Sequence, residues 1–458
     1  MKSILVVLLT AVLATSMPAQ CWQSISIGSQ HTAALKSDGS LWTWGWNAYG
    51  QLADGGEMNR SMPFQVGADH DWLQVAAGDG HTLAIKLNGT LWGWGRNYNG
   101  ELGDGTNIAR PFPVQIGTAH DWQQVATRGS HSAAIKSDGS LWAWGQNDVG
   151  QLGNGTGLDQ NAPVLIGAGP WQKIVAGEVN TAGIKNDGTL WMWGNNYYAQ
   201  LGNGTVAEKQ VTPEQVGTDN HWLQVTIGSR HTIAVKSDGT IWGWGSNDRG
   251  QLGLGYDSGA GVPTQIDTTH NWQKVAAGTD VTGAIKSDGT LWTWGWNIYG
   301  QLGNGTYAEQ IVPAQMNAAT DWQQIAVGYT YSEATKTTGS LWSWGNNDVG
   351  QLGDNSIMET NLPVEVTCPP SGIINMPLLN YHVQVSPNPA QNYLAIHIMD
   401  INTTDLYLEV RNTLGEVIAV RQNSTPAQEI NIEDLVPGLY FLIITNKNDR
   451  TVKPFVKI

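Results

Sequence analysis

The chain is poor in charged residues, in phenylalanine and in cysteine. Only 13% of its 458 residues are charged, and it contains 4 Phe and 2 Cys. It has no run of basic residues, and its formal net charge is −15. Nucleic acids and anionic membranes both select a basic face, so neither is expected as a partner.

Long apolar runs are missing beyond the N-terminus. There, Lys2 precedes an apolar run from Ile4 to Leu9, and small residues follow up to Ala19. This pattern is typical of a secretory signal peptide, which we predict over residues 1–19. No later stretch approaches the roughly 20 apolar residues that a bilayer-spanning helix needs, so no transmembrane segment is expected.

Linear motifs of catalysis are absent as well. The sequence holds no Gly-x-Ser-x-Gly elbow, no His-Glu-x-x-His pair and no phosphate loop. No catalytic residue and no cofactor is therefore predicted. Carboxylates from distant parts of a chain can still assemble without a linear motif, so an extracellular enzyme acting on polysaccharide stays open as an alternative.

Tryptophan and glycine are abundant instead, with 23 and 56 residues, and they recur with a period of 50. A fixed period of this length indicates a repeat architecture. The seven units open at Trp22, Trp72, Trp122, Trp171, Trp222, Trp272 and Trp322. Most of the tryptophans recur in this way, which indicates that they serve packing.

Each unit contains short apolar runs punctuated by Gly, Asp and Asn, as strands do. In the third unit, His131–Lys136 and Leu141–Gly145 flank Asp138-Gly139, which predicts a hairpin with a tight turn. Four strands per unit make one propeller blade, and seven blades can close into a ring. The expected fold class is all-β, with a seven-bladed β-propeller over residues 20–370.

The repeated pattern has a specific form. It reads Gly-x-x-His-Thr-x-Ala-Ile-Lys-Ser-Asp-Gly-Ser-Leu-Trp-x-Trp-Gly-x-Asn, followed by Gly-Gln-Leu-Gly-Asp-Gly-Thr. It resembles the regulator of chromosome condensation repeat family, over about residues 21–368 and seven times. The resemblance implies a seven-bladed propeller, in agreement with the strand count.

The functions of that family are diverse, so the fold alone does not select among them. Its eukaryotic founder exchanges nucleotide on a small GTPase and touches chromatin, whereas secreted bacterial members include inhibitors that clamp β-lactamases. An acidic chain with a signal peptide and no basic tail departs from the chromatin-bound member. The nucleotide-exchange role is therefore not carried over.

The repeat ends at about Ser371, and tryptophan disappears with it. The remainder contains Pro387-Asn388-Pro389, Gly438-Leu439-Tyr440 and a lysine near the end, Lys457. It resembles the type A C-terminal sorting domain of the type IX secretion system, which is found in Bacteroidota.

The resemblance implies a small β-sandwich over residues 371–458 that engages the type IX machinery. It also implies a mature protein that is secreted or attached to the outer cell surface once the signal peptide and this domain are cleaved. An ordinary accessory β-sandwich is the alternative.

The two cysteines flank the repeats. Cys21 lies immediately before the first unit, and Cys368 follows the last strand of the seventh. If the ring closes, the two sulfur atoms become neighbours, and a disulfide is then expected in an exported protein.

One histidine recurs at the same place in four units, as His31, His81, His131 and His231. Metal ligands must converge within a few ångströms, whereas these residues lie one to a blade. We expect them to make hydrogen bonds, and no metal site is predicted.

The loops that follow each Trp-Gly keep one asparagine and vary around it. Trp, Tyr and Arg, which are frequent at binding hot spots, recur at the variable positions. Equivalent loops gather on one propeller face, which predicts one aromatic-rimmed ligand-binding surface. Its residues are Trp46, Tyr49, Tyr98, Tyr197, Tyr198, Arg249, Trp296 and Tyr299. The alternative is that several of these rings merely cover blade edges.

Together, these patterns predict a monomeric, exported or surface-displayed binding module whose partner is a protein or a glycan. Two alternatives stay open, the extracellular polysaccharide-acting enzyme and an inhibitor of a secreted enzyme.

Overall fold

The computed structural model of the chain describes residues 21–206, 209–369, 383–398, 406–412, 417–424, 427–446 and 449–458. The predicted signal peptide, residues 1–19, lies outside the described residues. The chain divides into two compact units, Met1–Pro369 and Pro370–Ile458. In the described part of the chain, no helix is long and apolar enough to cross a membrane.

The first unit contains seven sheets, each made of four antiparallel strands that are consecutive in the chain. Blade 1 consists of β1 (Trp22–Ile27), β2 (His31–Lys36), β3 (Leu41–Gly45) and β4 (Arg60–Gln65). Blade 2 consists of β5 (Trp72–Ala77), β6 (His81–Lys86), β7 (Leu91–Gly95) and β8 (Arg110–Gln115). Blade 3 consists of β9 (Trp122–Arg128), β10 (His131–Lys136), β11 (Leu141–Gly145) and β12 (Gln160–Gly167). Blade 4 consists of β13 (Trp171–Ala176), β14 (Asn180–Lys185), β15 (Leu190–Asn195) and β16 (Lys209–Gln215).

The other three blades repeat this plan. Blade 5 consists of β17 (Trp222–Ile227), β18 (His231–Lys236), β19 (Ile241–Gly245) and β20 (Ala260–Asp267). Blade 6 consists of β21 (Trp272–Ala277), β22 (Val281–Lys286), β23 (Leu291–Gly295) and β24 (Gln310–Gln315). Blade 7 consists of β25 (Trp322–Val327), β26 (Tyr331–Lys336), β27 (Leu341–Gly345) and β28 (Thr360–Val366). The predicted seven-bladed propeller is confirmed.

The first strand of each blade lies nearest the propeller axis. These strands contact one another around the ring, and β1 contacts β25, so the ring is closed. Because strand direction alternates, the turn between the first two strands and the loop between the last two lie at the same end of a blade. We call this end the loop face; in blade 1 it carries residues 28–30 and 46–59.

Tryptophan joins each blade to the one before it. The second indole of every Trp-x-Trp pair is fully buried, as Trp94 is, and its Nε1 donates to a main-chain carbonyl of the previous blade. Trp94 donates to Gln51 at 2.8 Å, and Trp44 donates to Gln351 at 3.1 Å, which joins blade 1 to blade 7. Burial of each such ring contributes roughly 1.5–3 kcal/mol or more.

A disulfide lies at the point where the ring closes. Cys21 and Cys368 are 347 residues apart in sequence, and their Cα atoms are 6.3 Å apart. Close by, the main-chain N–H of Trp22 donates to the carbonyl oxygen of Gly339 at 3.0 Å. The structure therefore contains the disulfide that the positions of the two cysteines predict.

The second unit is a small β-sandwich, as predicted. One sheet contains β29 (Val383–Ser386), β30 (Tyr393–Ile398) and β33 (Ala427–Asn431). The other contains β31 (Leu406–Asn412), β32 (Val417–Ser424), β34 (Gly438–Asn446) and β35 (Asp449–Lys457). Both sheets contribute to one apolar core, which includes Leu394, Ile396, Leu408, Leu442 and Phe455.

Replacing both cysteines tests how much the covalent closure stabilises the ring. We expect the Cys21→Ser, Cys368→Ser double variant to lose about 5 kcal/mol at most, because the disulfide restrains a very long loop in the unfolded chain. Urea denaturation of the oxidised protein measures this difference. Reductant is the control, since it should destabilise the wild type equally and leave the double variant unchanged. Equal stability of the two proteins without reductant would contradict the expectation.

Candidate functional site

The asparagine that recurs in each loop holds the loop backbone. In blade 2, Asn97 is fully buried, and its Oδ1 accepts the main-chain N–H of Leu102 at 2.9 Å. Its Nδ2 donates to the carboxylate of Asp104 at 3.0 Å and to the carbonyl oxygen of Thr106 at 3.1 Å. Because the asparagine supplies the loop's internal hydrogen bonds, its neighbours are free to differ between blades.

The predicted aromatic residues form separate clusters on the loop face. In the first cluster, Trp46 and Tyr49 meet edge to face at a centroid distance of 5.2 Å, and Tyr49 meets Tyr98 of blade 2 at 5.7 Å. In the second cluster, Tyr197 and Tyr198 of blade 4 are 5.3 Å apart. Tyr98 and Tyr197 are well exposed, at 61% and 66%.

Blade 6 carries the third cluster, in which Trp296 and Tyr299 are 5.6 Å apart. Arg249 of blade 5 forms an ion pair with Glu309 at 3.1 Å. Among the described residues, no ring contact joins one cluster to another. The structure thus brings the eight predicted residues to one face, but as three aromatic clusters and a paired arginine. That they bind a ligand stays a prediction.

A cavity of about 380 Å³ opens on this face beside the second cluster. Tyr197 and Tyr198 form part of its wall, and Asn195 and Gln200 line it as well. The remaining wall comes from the turns between first and second strands, namely Glu178, Val179, Ser229, Arg230, Thr279 and Tyr329. The cavity therefore joins the aromatic loop of blade 4 to the mouth of the central channel.

A buried arginine crosses the channel beside this cavity. Arg128, in blade 3, is at the place in the repeat where the other six blades have glycine, and β9 runs one residue further to include it. Its Nη1 donates to the carbonyl oxygens of Ile227 at 3.3 Å and Ala277 at 2.6 Å, in blades 5 and 6. Burial lowers the pKa of the Arg128 guanidinium, and the Glu178 and Asp79 carboxylates oppose that effect.

Tyr329 of blade 7 completes the polar network at the axis. Its hydroxyl donates to the Glu178 carboxylate at 2.8 Å. Burial and the neighbouring Glu178 carboxylate raise the pKa of Tyr329, so the hydroxyl stays protonated. Side chains from blades 3, 4 and 7 therefore meet at the centre of the loop face.

Glu178, Arg230 and Tyr329 were not predicted from the sequence as site residues. They lie in the short turns near the axis, whereas the residues predicted from the sequence lie in the longer loops between the third and fourth strands. One signal was available: Arg128 replaces a glycine that six of the seven units share.

Comparison with known proteins identifies the family. The profile of the RCC1-like domain matches residues 8–316, and that of the regulator of chromosome condensation (RCC1) repeat matches residues 338–376. The chain belongs to the RCC1-like domain family. This RCC1-like propeller is followed by a match to the secretion system C-terminal sorting domain over residues 384–458. The protein is therefore exported by the type IX system to the cell surface or beyond it.

Solved structures share the fold. Human WBSCR16 is 22% identical with a TM-score of 0.64, and the match covers 72% of this chain and 94% of that one. Prp20p from Saccharomyces cerevisiae is 20% identical with a TM-score of 0.65, and the match covers 76% and 89% of the two chains.

Two curated relatives match this chain over short segments. The ultraviolet-B receptor UVR8 of Arabidopsis thaliana is 50% identical over 42 residues, which are 9% of this chain and 10% of that protein. The X-linked retinitis pigmentosa GTPase regulator homolog of Caenorhabditis elegans is 42% identical over 48 residues, 10% and 4% of the two chains. The matched part thus spans a tenth or less of each relative.

The recurrent histidines of the RCC1-like propeller join neighbouring blades. His31 Nε2 lies 3.0 Å from the hydroxyl of Thr82, and His131 Nε2 lies 2.9 Å from that of Thr181. Burial lowers the pKa of His31 to about 3 and that of His131 to about 4, so both rings are neutral. In the described part of the chain, no three His, Cys, Asp or Glu side chains are placed to hold a metal ion.

The contact differs where blade 7 meets blade 1. Tyr331 stands in the histidine position, and its hydroxyl lies 3.1 Å from that of Thr32. Thr32 also donates to the fully buried Glu333 at 2.8 Å, and burial raises the pKa of Glu333 to about 8. This carboxyl is therefore largely protonated at neutral pH.

Arg128→Gly tests the axial network. We expect a loss of about 3 kcal/mol in the free energy of unfolding, because the carbonyl oxygens of Ile227 and Ala277 lose a charged donor and the axial carboxylates lose a nearby positive charge. Urea denaturation measures the loss. Six blades already have glycine at this place, so the turn itself tolerates the change. Arg249→Gln removes an exposed ion pair and should cost no more than about 1 kcal/mol; an equal cost for both variants would argue against the network.

His131→Asn tests the neutral histidines, and blade 4 already has asparagine at this position, Asn180. A folded pKa below the unfolded value of 6.5 gives a contribution that is complete above pH 6.5 and lost as pH falls toward 4. Between pH 6 and 4, the unfolding free energy of the variant should fall less steeply than that of the wild type. We expect the two slopes to differ by about 1 kcal/mol per pH unit. Urea denaturation at several pH values measures the slope. A slope equal to that of the wild type for His131→Asn would refute the assignment.

Proposed function

We propose that the propeller is a binding module that recognises a protein or glycan partner outside the cell through its loop face. The cavity beside Tyr197 and Tyr198 carries this proposal. It combines exposed aromatic rings with polar side chains at the channel mouth, as ligand sites do.

The residue types on the loop face support a binding role. Tyrosine, tryptophan and arginine provide large contact areas at low entropic cost, and they occupy the positions that vary most between blades. Those positions lie on loops held by a buried asparagine, so the variable side chains are presented by a fixed scaffold. A second cavity, of about 650 Å³, opens among blades 2 to 4, but Asp138 is the one charged side chain among the described residues that line it.

A structural neighbour supports a protein as the partner. Prp20p has binding properties toward Gsp1p and histones, and a second solved structure of the same protein, yeast RCC1 (Prp20), shows it bound to Kap60. Inhibition of a secreted enzyme would be one form of protein binding.

The cavity is less suited to polysaccharide hydrolysis. Glycosidases generally use two carboxylic acids on opposite sides of the scissile bond. Among the described residues that line the cavity, Glu178 is the one carboxylate, and it already accepts the hydroxyl of Tyr329. Binding is therefore the function that this geometry favours.

Arrayed glycans and arrayed extracellular proteins, probed with the exported protein, test this function. For any partner found, we expect the Tyr197→Ala, Tyr198→Ala variant to bind at least about tenfold more weakly, because buried aromatic anchors dominate such interfaces. The Trp46→Ala, Trp296→Ala variant tests whether the first and third aromatic clusters also contribute to the affinity.

The matched control is Leu73→Ala, Leu223→Ala, which alters exposed side chains near the start of inner strands, at the opposite end of the blades. Its affinity should equal that of the wild type. Unchanged binding by the tyrosine variant would show that the cavity beside Tyr197 and Tyr198 is not the binding site. Turnover of any arrayed polysaccharide would favour the enzyme alternative.

A further inference from the structure

Among the described residues, one arginine on the loop face makes neither an ion pair nor a hydrogen bond through its guanidinium. The propeller contains six arginines, and four of them pair with carboxylates: Arg60 with Asp54, Arg96 with Glu101, Arg110 with Asp104 and Arg249 with Glu309. Arg128 donates to two carbonyl oxygens at the axis. Within the part of the chain that the structure describes, the contact of Arg230 is with the ring of Tyr198, at 4.8 Å from the centroid.

Arg230 lies in the wall of the cavity, and the nearby carboxylates accept hydrogen bonds from other residues; Asp280 interacts with Arg230 electrostatically from beyond ion-pair distance. Glu178 accepts the hydroxyl of Tyr329, and Asp280 accepts Nε2 of Gln251 at 3.0 Å. Neither carboxylate is within ion-pair distance of Arg230. The guanidinium of Arg230 therefore offers several donors to a ligand, and the neighbouring ring of Tyr198 fixes the plane of the guanidinium.

Two hydroxyl groups in the same cavity are also without partners in the described part of the chain. Ser229 is only 7% exposed, and its Oγ makes no hydrogen bond among the described residues. The same is true, within those residues, of the buried Oγ1 of Thr279. A buried hydroxyl without a partner costs about 1–3 kcal/mol, so an acceptor that enters the cavity recovers that cost. A guanidinium and two such hydroxyl groups in the wall of one cavity suit the two oxygens of a carboxylate.

The rim of the loop face indicates what kind of molecule carries that carboxylate. Every blade exposes a large apolar side chain in the loop between its third and fourth strands. These residues are Met58, Ile108, Leu158, Val206, Tyr256, Tyr307 and Met358, each at least 49% exposed. Large apolar side chains exposed on one face offer contact area to a protein partner, whereas the hydroxyl groups of a sugar gain little from Met, Ile, Leu or Val.

We infer that the partner is a folded protein that inserts an aspartate or glutamate side chain into this cavity. Arg230 binds the carboxylate, Ser229 and Thr279 donate to it, and the apolar rim covers the surrounding surface. This inference rests on the proposed function and specifies the chemical group of the partner that the cavity binds.

The test is a selection from a library of random loops displayed on a small rigid scaffold protein. The wild type, Arg230→Gln and Arg110→Gln are used as targets in parallel; Arg110 is the matched control because its guanidinium is already paired with Asp104 and it is not one of the predicted binding residues. Loops selected on the wild type and on Arg110→Gln should be enriched in a single Asp or Glu, and those selected on Arg230→Gln should not.

Each selected loop is then measured against the variants. We expect Arg230→Gln, or replacement of the acid by its amide in the loop, to weaken binding by about 10- to 100-fold. Arg230→Lys should bind with intermediate affinity, because it keeps the charge and loses the planar fork. Tetragalacturonate is the acidic glycan probe, and it should not displace the loops.

Three results overturn the inference. The first is a set of loops without acidic residues, and the second is equal binding to the wild type and Arg230→Gln. The third is tighter, Arg230-dependent binding of tetragalacturonate, which would make the ligand an acidic glycan. Loops that bind Arg230→Gln as tightly as the wild type, but bind the Tyr197→Ala, Tyr198→Ala variant more weakly, refute this inference alone. Loops that bind both variants as tightly as the wild type also refute loop-face binding.

Discussion

Every blade of this propeller depends on the blade beside it. A four-stranded blade has two apolar faces and cannot bury both alone, so the faces are buried only when the ring closes. The contact that repeats at each junction is the indole of the second tryptophan, which packs between blades and donates to a carbonyl oxygen of the previous one. Trp44 makes this bond to Gln351, across the junction between the two ends of the repeat region. The disulfide between Cys21 and Cys368 then holds those ends covalently.

The regular scaffold makes its exceptions informative. Arg128 occurs where six blades have glycine, and Arg230 makes no ion pair among the described residues, unlike the four paired arginines. Both lie near the mouth of the channel on the loop face, where Glu178 of blade 4 and Tyr329 of blade 7 also lie. If packing were the only requirement, the same residue could occupy the equivalent position in all seven blades. Departures that gather in one place therefore indicate a requirement other than packing.

Much of the fold was predictable from local chemistry. A 50-residue period, Asp-Gly turns and paired tryptophans predict the blades, because turn geometry and strand alternation act over a few residues. The family resemblance and the sorting domain agree with the matched families. The histidines were correctly expected to make hydrogen bonds, since residues one blade apart cannot converge on a metal ion. The candidate site was predicted less completely: the loops were identified, but their residues form separate clusters, and the cavity between blade 4 and the channel was not foreseen.

The amino-acid order is sufficient to specify the number of blades, the position of the cysteines and the face on which the variable loops lie, because each follows from a repeated local pattern. Which of those loops share a cavity, and which charges remain without a partner, depends on side chains that meet across the axis. Arg128 and Ala277 are 149 residues apart and belong to blades separated by two others. Such contacts exist only after the ring has closed, because closure alone brings the inner turns of distant blades together.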